Sequence, residues 1–198
     1  PLAPYTAMRV GGPADLLVVC RTTEEVVEAV TRARAAGVPW LVLGGGCNVL
    51  VSDAGVRGLV VVHRADRTRI GADGTVWAEA GAPMAALARE TAARGLAGLE
   101  WAAGLPGTVG GAVVGNAGAF GGDVASVLRS VTLLEPDGGV TERPAEWMAF
   151  SYRESRIKRT PRPERPVVLA ATFALAPGDP AALAARMEEI LAWRRARH

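Results

Sequence analysis

Three consecutive glycines stand directly after a predicted strand, in LVLGGGCNVLVSD (41–53). Glycine frees backbone N–H groups to point into one concavity, which suits a phosphate or diphosphate. Asn48 and Ser52 add side chains able to hydrogen-bond. No Gly-Lys-Ser/Thr follows, so this is not a Walker A loop, and Val49 replaces the third glycine of a dinucleotide fingerprint. A tight turn without a ligand is the alternative, but three glycines exceed what a turn needs.

A second glycine-dense stretch, GLPGTVGGAVVGNAGAFGG, covers 104–122. Flexible linkers mix glycine with serine and charged residues, whereas apolar side chains such as Val109 and Val113 interrupt this stretch. We therefore expect packed backbone that a large planar or phosphorylated ligand approaches closely. Thr108 and Asn116 are its polar groups able to orient that ligand. Together, the two segments predict an extended cofactor that is gripped at two places.

The third candidate is the basic stretch FSYRESRIKR (150–159). Arg153 follows Tyr152, so we expect the aromatic ring to hold the guanidinium and partly shield it from water. A guanidinium held in this way can clamp a carboxylate or stabilise a developing oxyanion. Arg156, Lys158 and Arg159 would then attract a diphosphate-bearing substrate. A solvated basic loop is the alternative.

Composition excludes several classes of protein. The chain has 198 residues, of which 49% are hydrophobic, but no apolar run is long enough to span a membrane. A net charge of +2 is too small to indicate nucleic-acid binding, although it suits an anionic ligand. Cys20 and Cys47 lie far apart, and with only two histidines no cluster has metal-ligand spacing. We expect a cytoplasmic protein with no metal, no nucleic-acid partner and no membrane partner; His63 is interpreted as structural.

The helices and strands that must position these residues are also predicted from the sequence. Their order indicates an α+β fold with two lobes, divided near residue 67. Lobe 1 (1–66) reads as a βαββ layer whose helix opens on a capping box, Thr22 to Glu25. Lobe 2 (67–198) is predicted to contain a strand (75–80), a helix (83–94), a hairpin (130–142) and a second strand (167–175). A final helix, capped by Asp179, begins at 180. The final helix runs into WRRARH without a stop signal, which we interpret as truncation.

Four motifs, in this order and spacing, resemble the UDP-N-acetylenolpyruvoylglucosamine reductases, also called UDP-N-acetylmuramate dehydrogenases. They are YTAMRVGGPADLL (5–17), LGGGCNVLVSDAGVRGLVV (43–61), GLEWAAGLPGTVGGAVVGNAGAFGG (98–122) and FSYRESRIK (150–158). The resemblance implies a two-lobed FAD-binding fold of the vanillyl-alcohol oxidase type. It also implies NADPH-driven reduction of UDP-N-acetylglucosamine enolpyruvate to UDP-N-acetylmuramate in peptidoglycan synthesis.

The resemblance also assigns roles to individual residues. The cofactor-binding positions it implies are Gly44, Gly45, Gly46, Cys47, Asn48, Val49, Gly81, Pro106, Gly107, Thr108, Val109, Gly110, Gly111, Asn116 and Gly118. Arg153 matches the family's catalytic arginine, which polarises the substrate carboxylate, and Tyr152 and Lys158 accompany it as substrate residues.

The chain departs from the family pattern in several places. The motifs that carry the family's proton-donating serine and its glutamate are not found, so a third, substrate-binding domain is expected to be absent. Arg153 is then the only catalytic residue carried over, and the fragment alone is expected to be weakly active or inactive. Phe120 stands where tyrosine is common. Another flavin oxidase or dehydrogenase on this fold, or a non-catalytic FAD-binding remnant, stays open, as does the oligomeric state.

Overall fold

A three-stranded parallel sheet comes first along the chain. The computed structural model describes residues 1–197, and His198, at the end of the predicted last helix, lies outside them. The elements are β1 (Ala14–Cys20), α1 (Thr23–Ala35), β2 (Trp40–Leu43) and β3 (Val56–His63), with β3 paired between the other two strands. This is the strand–helix–strand–strand order predicted from the sequence.

Helix α1 covers one face of this sheet. Its predicted capping box is confirmed: the Glu25 backbone N–H donates to Thr22 Oγ1 over 3.2 Å, and the Thr22 backbone N–H donates to the Glu25 carboxylate over 3.3 Å. Val26 and Val30 are fully buried against the sheet. The helix ends before Gly37, whose φ of +65° lets the chain turn back into β2.

The remaining elements build a second, five-stranded sheet with helices around it. In chain order they are β4 (Thr68–Ile70), β5 (Thr75–Glu79), α2 (Met84–Ala93), β6 (Leu96–Ala97), α3 (Val109–Val114), β7 (Gly118–Ala119), β8 (Gly122–Asp123), β9 (Leu128–Leu134), β10 (Val140–Pro144), α4 (Arg156–Arg159), β11 (Val167–Ala174), β12 (Ala176–Pro177) and α5 (Pro180–Arg195). Short 3₁₀ turns lie at Ala3–Tyr5, Glu100–Ala102, Ala145–Met148 and Arg162–Glu164.

The second sheet is antiparallel, with the strand order β10-β9-β11-β5-β4. The predicted hairpin is confirmed as β9 and β10, and the strand predicted at 167–175 is the central strand β11. Asp179 caps α5 as predicted, since its carboxylate accepts from the Ala181 N–H. Phe173, Leu133 and Met84 are fully buried in the core between this sheet and its helices.

No helix was predicted in the glycine-dense stretch, which was expected only to be packed backbone. It contains the short helix α3, in which Val109 and Val113 are fully buried. Glycine has a low helix propensity, so here the burial of two valines outweighs the local preference. Strand β4 and the two-residue pairs β6–β12 and β7–β8 were not predicted either, because strands this short carry no recognisable alternation.

Candidate functional site

The first glycine loop, Gly44 to Leu50, follows β2 at the carboxyl edge of the parallel sheet. Within the described residues, none of the backbone N–H groups from Gly45 to Leu50 donates a hydrogen bond to the protein. The carbonyl groups of the loop are used instead: Arg64 Nη1 donates to the Gly44 carbonyl over 2.8 Å, and the Ala7 N–H donates to the Gly46 carbonyl over 3.0 Å. The loop is thus anchored through its acceptors while its donors stay available.

Contact between the two glycine segments explains the first two of the three glycines. A Cβ built on Gly44 would lie 2.4 Å from Thr108 Oγ1, and one built on Gly45 would lie 3.0 Å from the Cα of Gly107. From the sequence, these glycines are expected to free backbone N–H groups for a phosphate or diphosphate. Close approach of the second segment is a further reason for glycine at both positions.

Gly46 is required for a different reason. Its φ is +66°, and a Cβ there would lie 2.0 Å from the Tyr5 carbonyl oxygen. Residues with a Cβ rarely adopt this backbone conformation, and no side chain fits at that distance. The N-terminal segment therefore closes over the loop and fixes its conformation.

Two backbone donors of the second glycine segment are engaged with the protein. At the start of α3, the Val109 N–H donates to the Ala82 carbonyl over 2.9 Å, and the Gly110 N–H donates to the Ala80 carbonyl over 2.8 Å. A Cβ on Gly110 would lie 2.8 Å from the Cβ of Ala80. These contacts pack α3 against the end of β5, so Val109 and Gly110 serve the fold.

Polar groups with no protein partner meet where the two segments touch. Neither Thr108 Oγ1 nor the Asn48 amide makes a hydrogen bond within the part of the chain that the structure describes. Thr108 is 7% exposed and its hydroxyl lies beside Gly44, whereas Asn48 is exposed. Consecutive free N–H groups with a hydroxyl and an amide beside them form a donor set suited to an anion such as a diphosphate.

Four of the predicted cofactor residues serve the packing of the protein itself. A Cβ on Gly81 would lie 2.4 Å from the Ala65 carbonyl oxygen, and one on Gly118 would lie 2.7 Å from the Cβ of Asp123 in the β7–β8 pair. Val49 packs on the apolar cluster around Leu2 and Val60. Asn116, the fourth, has its amide engaged on both sides: Nδ2 donates to the Ser151 carbonyl and Oδ1 accepts from the Ala125 N–H, each over 3.0 Å.

Arg153 lies at the tip of an exposed turn. Ser151 and Glu154 exchange backbone hydrogen bonds of 3.1 Å, so Tyr152 and Arg153 form the two-residue connection between them. The guanidinium carbon lies 5.8 Å from the centre of the Tyr152 ring, and Tyr152 itself is 88% exposed. The expected shielding from water is wrong, because the ring that should provide it is itself in solvent.

The other cations of the basic stretch are engaged locally. Arg156 Nε donates to the Trp147 carbonyl over 2.6 Å, and Arg159 Nη2 donates to the Ala149 carbonyl over 2.7 Å. Lys158 Nζ donates to the Arg153 carbonyl over 2.7 Å and lies 3.0 Å from the Glu154 carboxylate. These contacts hold the loop around Arg153, and because a carbonyl acceptor is neutral, Arg156 and Arg159 keep their charge.

Two buried polar residues that join distant segments were not predicted from the sequence. Ser155 is fully buried and its Oγ donates to the Val114 carbonyl over 2.6 Å, which joins the Arg153 turn to α3. Glu79, 1% exposed, accepts from Thr23 Oγ1 and from Arg67 Nη2, each over 2.8 Å. Burial raises the pKa of Glu79, but its hydrogen bonds with Arg67 and Thr23 outweigh burial and leave the pKa below its usual value. The partners of both residues are distant in sequence, so spacing gave no signal.

His63 is buried at the end of β3. It is 2% exposed, and within the described residues neither ring nitrogen has a hydrogen-bond partner. Burial lowers the pKa of the imidazole to about 4; Glu79 partly opposes this and Arg64 adds to it. His63 is therefore neutral at pH 7, in keeping with the structural role expected for it.

Residues 1–197 contain neither a metal-binding cluster nor a membrane-spanning helix. No three His, Cys, Asp or Glu side chains in this range come together in a way that would hold a metal ion. No helix there has both the length and the apolar character needed to cross a membrane.

Comparison with known proteins gives matches over nearly the whole chain. A family model described as FAD binding domain matches residues 14–142. UDP-N-acetylenolpyruvoylglucosamine reductase of Chloroflexus aurantiacus is 45% identical, over 98% of this chain and 67% of its own. The protein of the same name from Rubrobacter xylanophilus is 47% identical, over 96% of this chain and 63% of its own.

A solved structure matches as well. The crystal structure of UDP-N-acetylenolpyruvylglucosamine reductase from Thermus caldophilus has a TM-score of 0.83 and 33% sequence identity, and the match covers all of this chain and 68% of that one. The predicted two-lobed α+β fold is thereby confirmed. The chain spans between 63% and 68% of the length of these three relatives.

Proposed function

This chain belongs to the UDP-N-acetylenolpyruvoylglucosamine reductase family, and from that premise we propose that it binds FAD for the NADPH-driven reduction of UDP-N-acetylglucosamine enolpyruvate to UDP-N-acetylmuramate. The observation that carries the proposal is the row of backbone N–H groups from Gly45 to Leu50, which have no acceptor among residues 1–197, in a loop whose start lies against Gly107 and Thr108. The reaction is a step in peptidoglycan precursor synthesis.

The residues of the first loop fit the diphosphate of FAD. A diphosphate is an acceptor-only anion, and the loop offers donors for which the described part of the chain supplies no acceptor. Gly44, Gly45, Gly46, Cys47 and Asn48 would hold it through their backbone, and the Thr108 hydroxyl would add one hydrogen bond. Pro106, Gly107 and Gly111 would form the neighbouring wall. FAD supplies the hydride-transfer chemistry when bound.

Arg153 would act on the substrate carboxylate. The guanidinium is a permanent cation at neutral pH, and it lies on a turn joined to α3 by the Asn116 and Ser155 hydrogen bonds. A double bond conjugated to a carboxylate accepts hydride poorly unless the charge that develops is stabilised. A fixed cation beside that carboxylate favours the transition state over the ground state. The exposure of Arg153 leaves it accessible to a substrate that arrives from solvent.

Several finer features belong to the same proposal. A division of the chain near residue 67 is supported by the two sheets, whose strands lie within 14–63 and 68–174. We place the reaction in the cytoplasm, where both proposed substrates, NADPH and a nucleotide sugar, are found. The proposal requires neither a nucleic-acid nor a membrane partner, and it sets no oligomeric state.

FAD binding is the direct test. The purified chain is expected to carry FAD or to take it up, seen as flavin absorbance and as quenched or enhanced flavin fluorescence in a titration. A colourless protein that cannot be reconstituted with FAD would overturn the proposal. UDP-N-acetylglucosamine enolpyruvate is then expected to perturb the bound-flavin spectrum, whereas a perturbation only by unrelated oxidase substrates would indicate another flavin enzyme on this fold.

Arg153 is tested separately by Arg153→Met. In protein expressed from the complete reading frame, we expect a large loss of enolpyruvyl reduction with FAD content unchanged, because the substitution removes the charge from an exposed side chain. A matched control is Arg129→Met, an exposed arginine on β9. Unchanged turnover in Arg153→Met would remove its catalytic role and favour a non-catalytic FAD-binding protein.

A further inference from the structure

The Arg153 turn is held in an uncommon backbone conformation. Arg153 has a φ of +58°, and Asn116, which contacts the turn, has a φ of +40°. Residues with a side chain adopt such angles rarely, and they persist where the surroundings impose them. The Arg153 side chain at the tip of the turn is exposed, so the restraint must come from the buried residues against which the turn packs.

Two buried side chains supply that restraint. Asn116 Nδ2 donates over 3.0 Å to the carbonyl of Ser151, the residue that begins the turn. Ser155 Oγ, one residue beyond the end of the turn, donates over 2.6 Å to the carbonyl of Val114 at the end of α3. Asn116 is 5% exposed and Ser155 fully buried, so neither hydrogen bond competes with bulk water.

The partners of both side chains lie in one segment. Val114 ends the helix that follows the Thr108 junction, and Asn116 also accepts from the Ala125 N–H over 3.0 Å. The turn is thereby fixed, on both sides of Arg153, to the backbone that forms the wall of the proposed FAD site. Lys158 adds an outer contact, since its Nζ donates to the Arg153 carbonyl over 2.7 Å.

We propose that Asn116 and Ser155 are positioning residues that fix the Arg153 guanidinium relative to the flavin site. This inference rests on the proposed function, because it presumes that Arg153 acts on the substrate carboxylate. Catalysis by an oriented cation is sensitive to displacements of about 1 Å. Asn116 thus has a role other than the cofactor contact expected from the sequence.

The test uses Asn116→Asp and Ser155→Ala in protein expressed from the complete reading frame. Aspartate keeps the acceptor for Ala125 and tolerates positive φ, but it loses the donor to Ser151. Alanine at 155 removes a hydroxyl, with its bond to Val114 and its cap on the Lys158 N–H of α4, and it serves if the buried aspartate disturbs folding. Ser130→Ala, which removes a hydroxyl on β9 that donates to Glu142 on the neighbouring strand β10, is the matched control.

The first readout is amide hydrogen exchange. The N–H groups of Ser151 and Glu154 report the turn directly, because they donate to each other's carbonyl groups. We expect both variants to exchange at least about tenfold faster at these amides, with amides in β9 and β11 unchanged, since the latter belong to the sheet core. Unchanged exchange at Ser151 and Glu154 would overturn the inference, even with FAD binding intact.

The second readout is coupling to Arg153. We expect each variant to lower kcat roughly tenfold at an unchanged FAD content, and to lower it less than about twofold when Arg153 is already methionine. Equal losses in both backgrounds would mean a general structural effect and would contradict positioning. If Arg153→Met alone leaves turnover unchanged, the proposed role of Arg153 fails together with this inference; if only the coupling is absent, the proposed function stands.

Discussion

The two glycine segments look alike in sequence but differ in what their backbone does. In the first, N–H groups from Gly45 to Leu50 have no acceptor within the described residues. In the second, the N–H groups of Val109 and Gly110 donate to Ala82 and Ala80. The first segment therefore presents backbone donors that the described residues do not use, and the second is a helix start packed against a strand.

Glycine serves a different purpose in each segment. Gly44 and Gly45 let the second segment approach, and Gly46 adopts a φ of +66° under the Tyr5 carbonyl. Gly110 lets α3 pack on Ala80. Glycine density alone marks close backbone contact and does not say whether the neighbour is a ligand or protein. Whether the backbone N–H groups already donate to protein acceptors distinguishes the two cases.

The largest effect is expected from Gly46→Ala, compared with Gly37→Ala. Both glycines have nearly the same φ, +66° and +65°, but a Cβ on Gly37 meets nothing within 4 Å, whereas one on Gly46 lies 2.0 Å from Tyr5 O. Gly37→Ala should lower the free energy of unfolding by about 1–2 kcal/mol and leave FAD affinity intact. Gly46→Ala should cost roughly 3–4 kcal/mol, the added part being steric, and abolish FAD binding.

Urea unfolding and a flavin titration measure both quantities. Equal losses of stability in the two variants would show that the N-terminal segment does not close on the loop as described.

Acid is expected to disturb the first segment before the second. His63 precedes Arg64, which holds the Gly44 carbonyl. Its pKa is about 4 in the folded protein against an ordinary 6.5, so its contribution to stability is complete above pH 6.5 and is lost as the pH falls towards 4. Between pH 7 and pH 5 this amounts to about 2 kcal/mol of unfolding free energy.

His63→Leu removes the titrating group without opening a large cavity, and it should flatten this part of the stability curve. The free energy of unfolding, measured with urea between pH 7 and pH 5, checks it. An unchanged slope would mean that His63 does not titrate as described.

The contact between the segments is tested by a double-mutant cycle of Gly44→Ala and Thr108→Ala. Gly44→Ala alone should cost about 1–3 kcal/mol, because its Cβ would lie 2.4 Å from Thr108 Oγ1. With Thr108→Ala in place, the cost should fall below about 1 kcal/mol. Thr108→Ala by itself should weaken FAD binding roughly tenfold, the loss of one hydrogen bond to a charged group. Strict additivity in stability would contradict the contact.

The smallest effect is expected at Gly111, next to Gly110 in α3. A Cβ on Gly111 meets only Thr108 Oγ1 at 3.8 Å, so Gly111→Ala should raise stability by about 0.5–1 kcal/mol through helix propensity. Gly110→Ala should instead destabilise, because its Cβ would lie 2.8 Å from that of Ala80. Thermal unfolding separates the two, and a destabilising Gly111→Ala would mean that α3 is packed differently.

The sequence predicted those parts of the fold that depend on local signals. The capping box at Thr22 and Glu25, the hairpin of β9 and β10 and the Asp179 cap are all set by neighbouring residues. Helix α3 escaped prediction, because its stability comes from burying Val109 and Val113 against distant strands. The first loop was recognisable as a backbone donor site.

The side-chain roles were harder to predict from sequence. Asn116 looked like a free polar group until its partners at Ser151 and Ala125 were seen, and Arg153 looked shielded until Tyr152 proved exposed. The acceptor of the Asn116 side chain, the Ser151 carbonyl, lies 35 residues along the chain, and spacing does not reveal it. Tyr152 is adjacent to Arg153, but adjacency does not show whether its ring is buried.

The central claim is that the backbone N–H groups of the first segment bind the anion, whereas those of Val109 and Gly110 do not. It is tested most directly by amide NMR. FAD is titrated into the ¹⁵N-labelled chain, and the backbone N–H resonances of both segments are followed. The amides from Gly45 to Leu50 are predicted to move downfield as they gain an acceptor, with Val109 and Gly110 little changed because theirs are already engaged. Resonances of the first segment that stay in place while those of Val109 and Gly110 move would contradict the account.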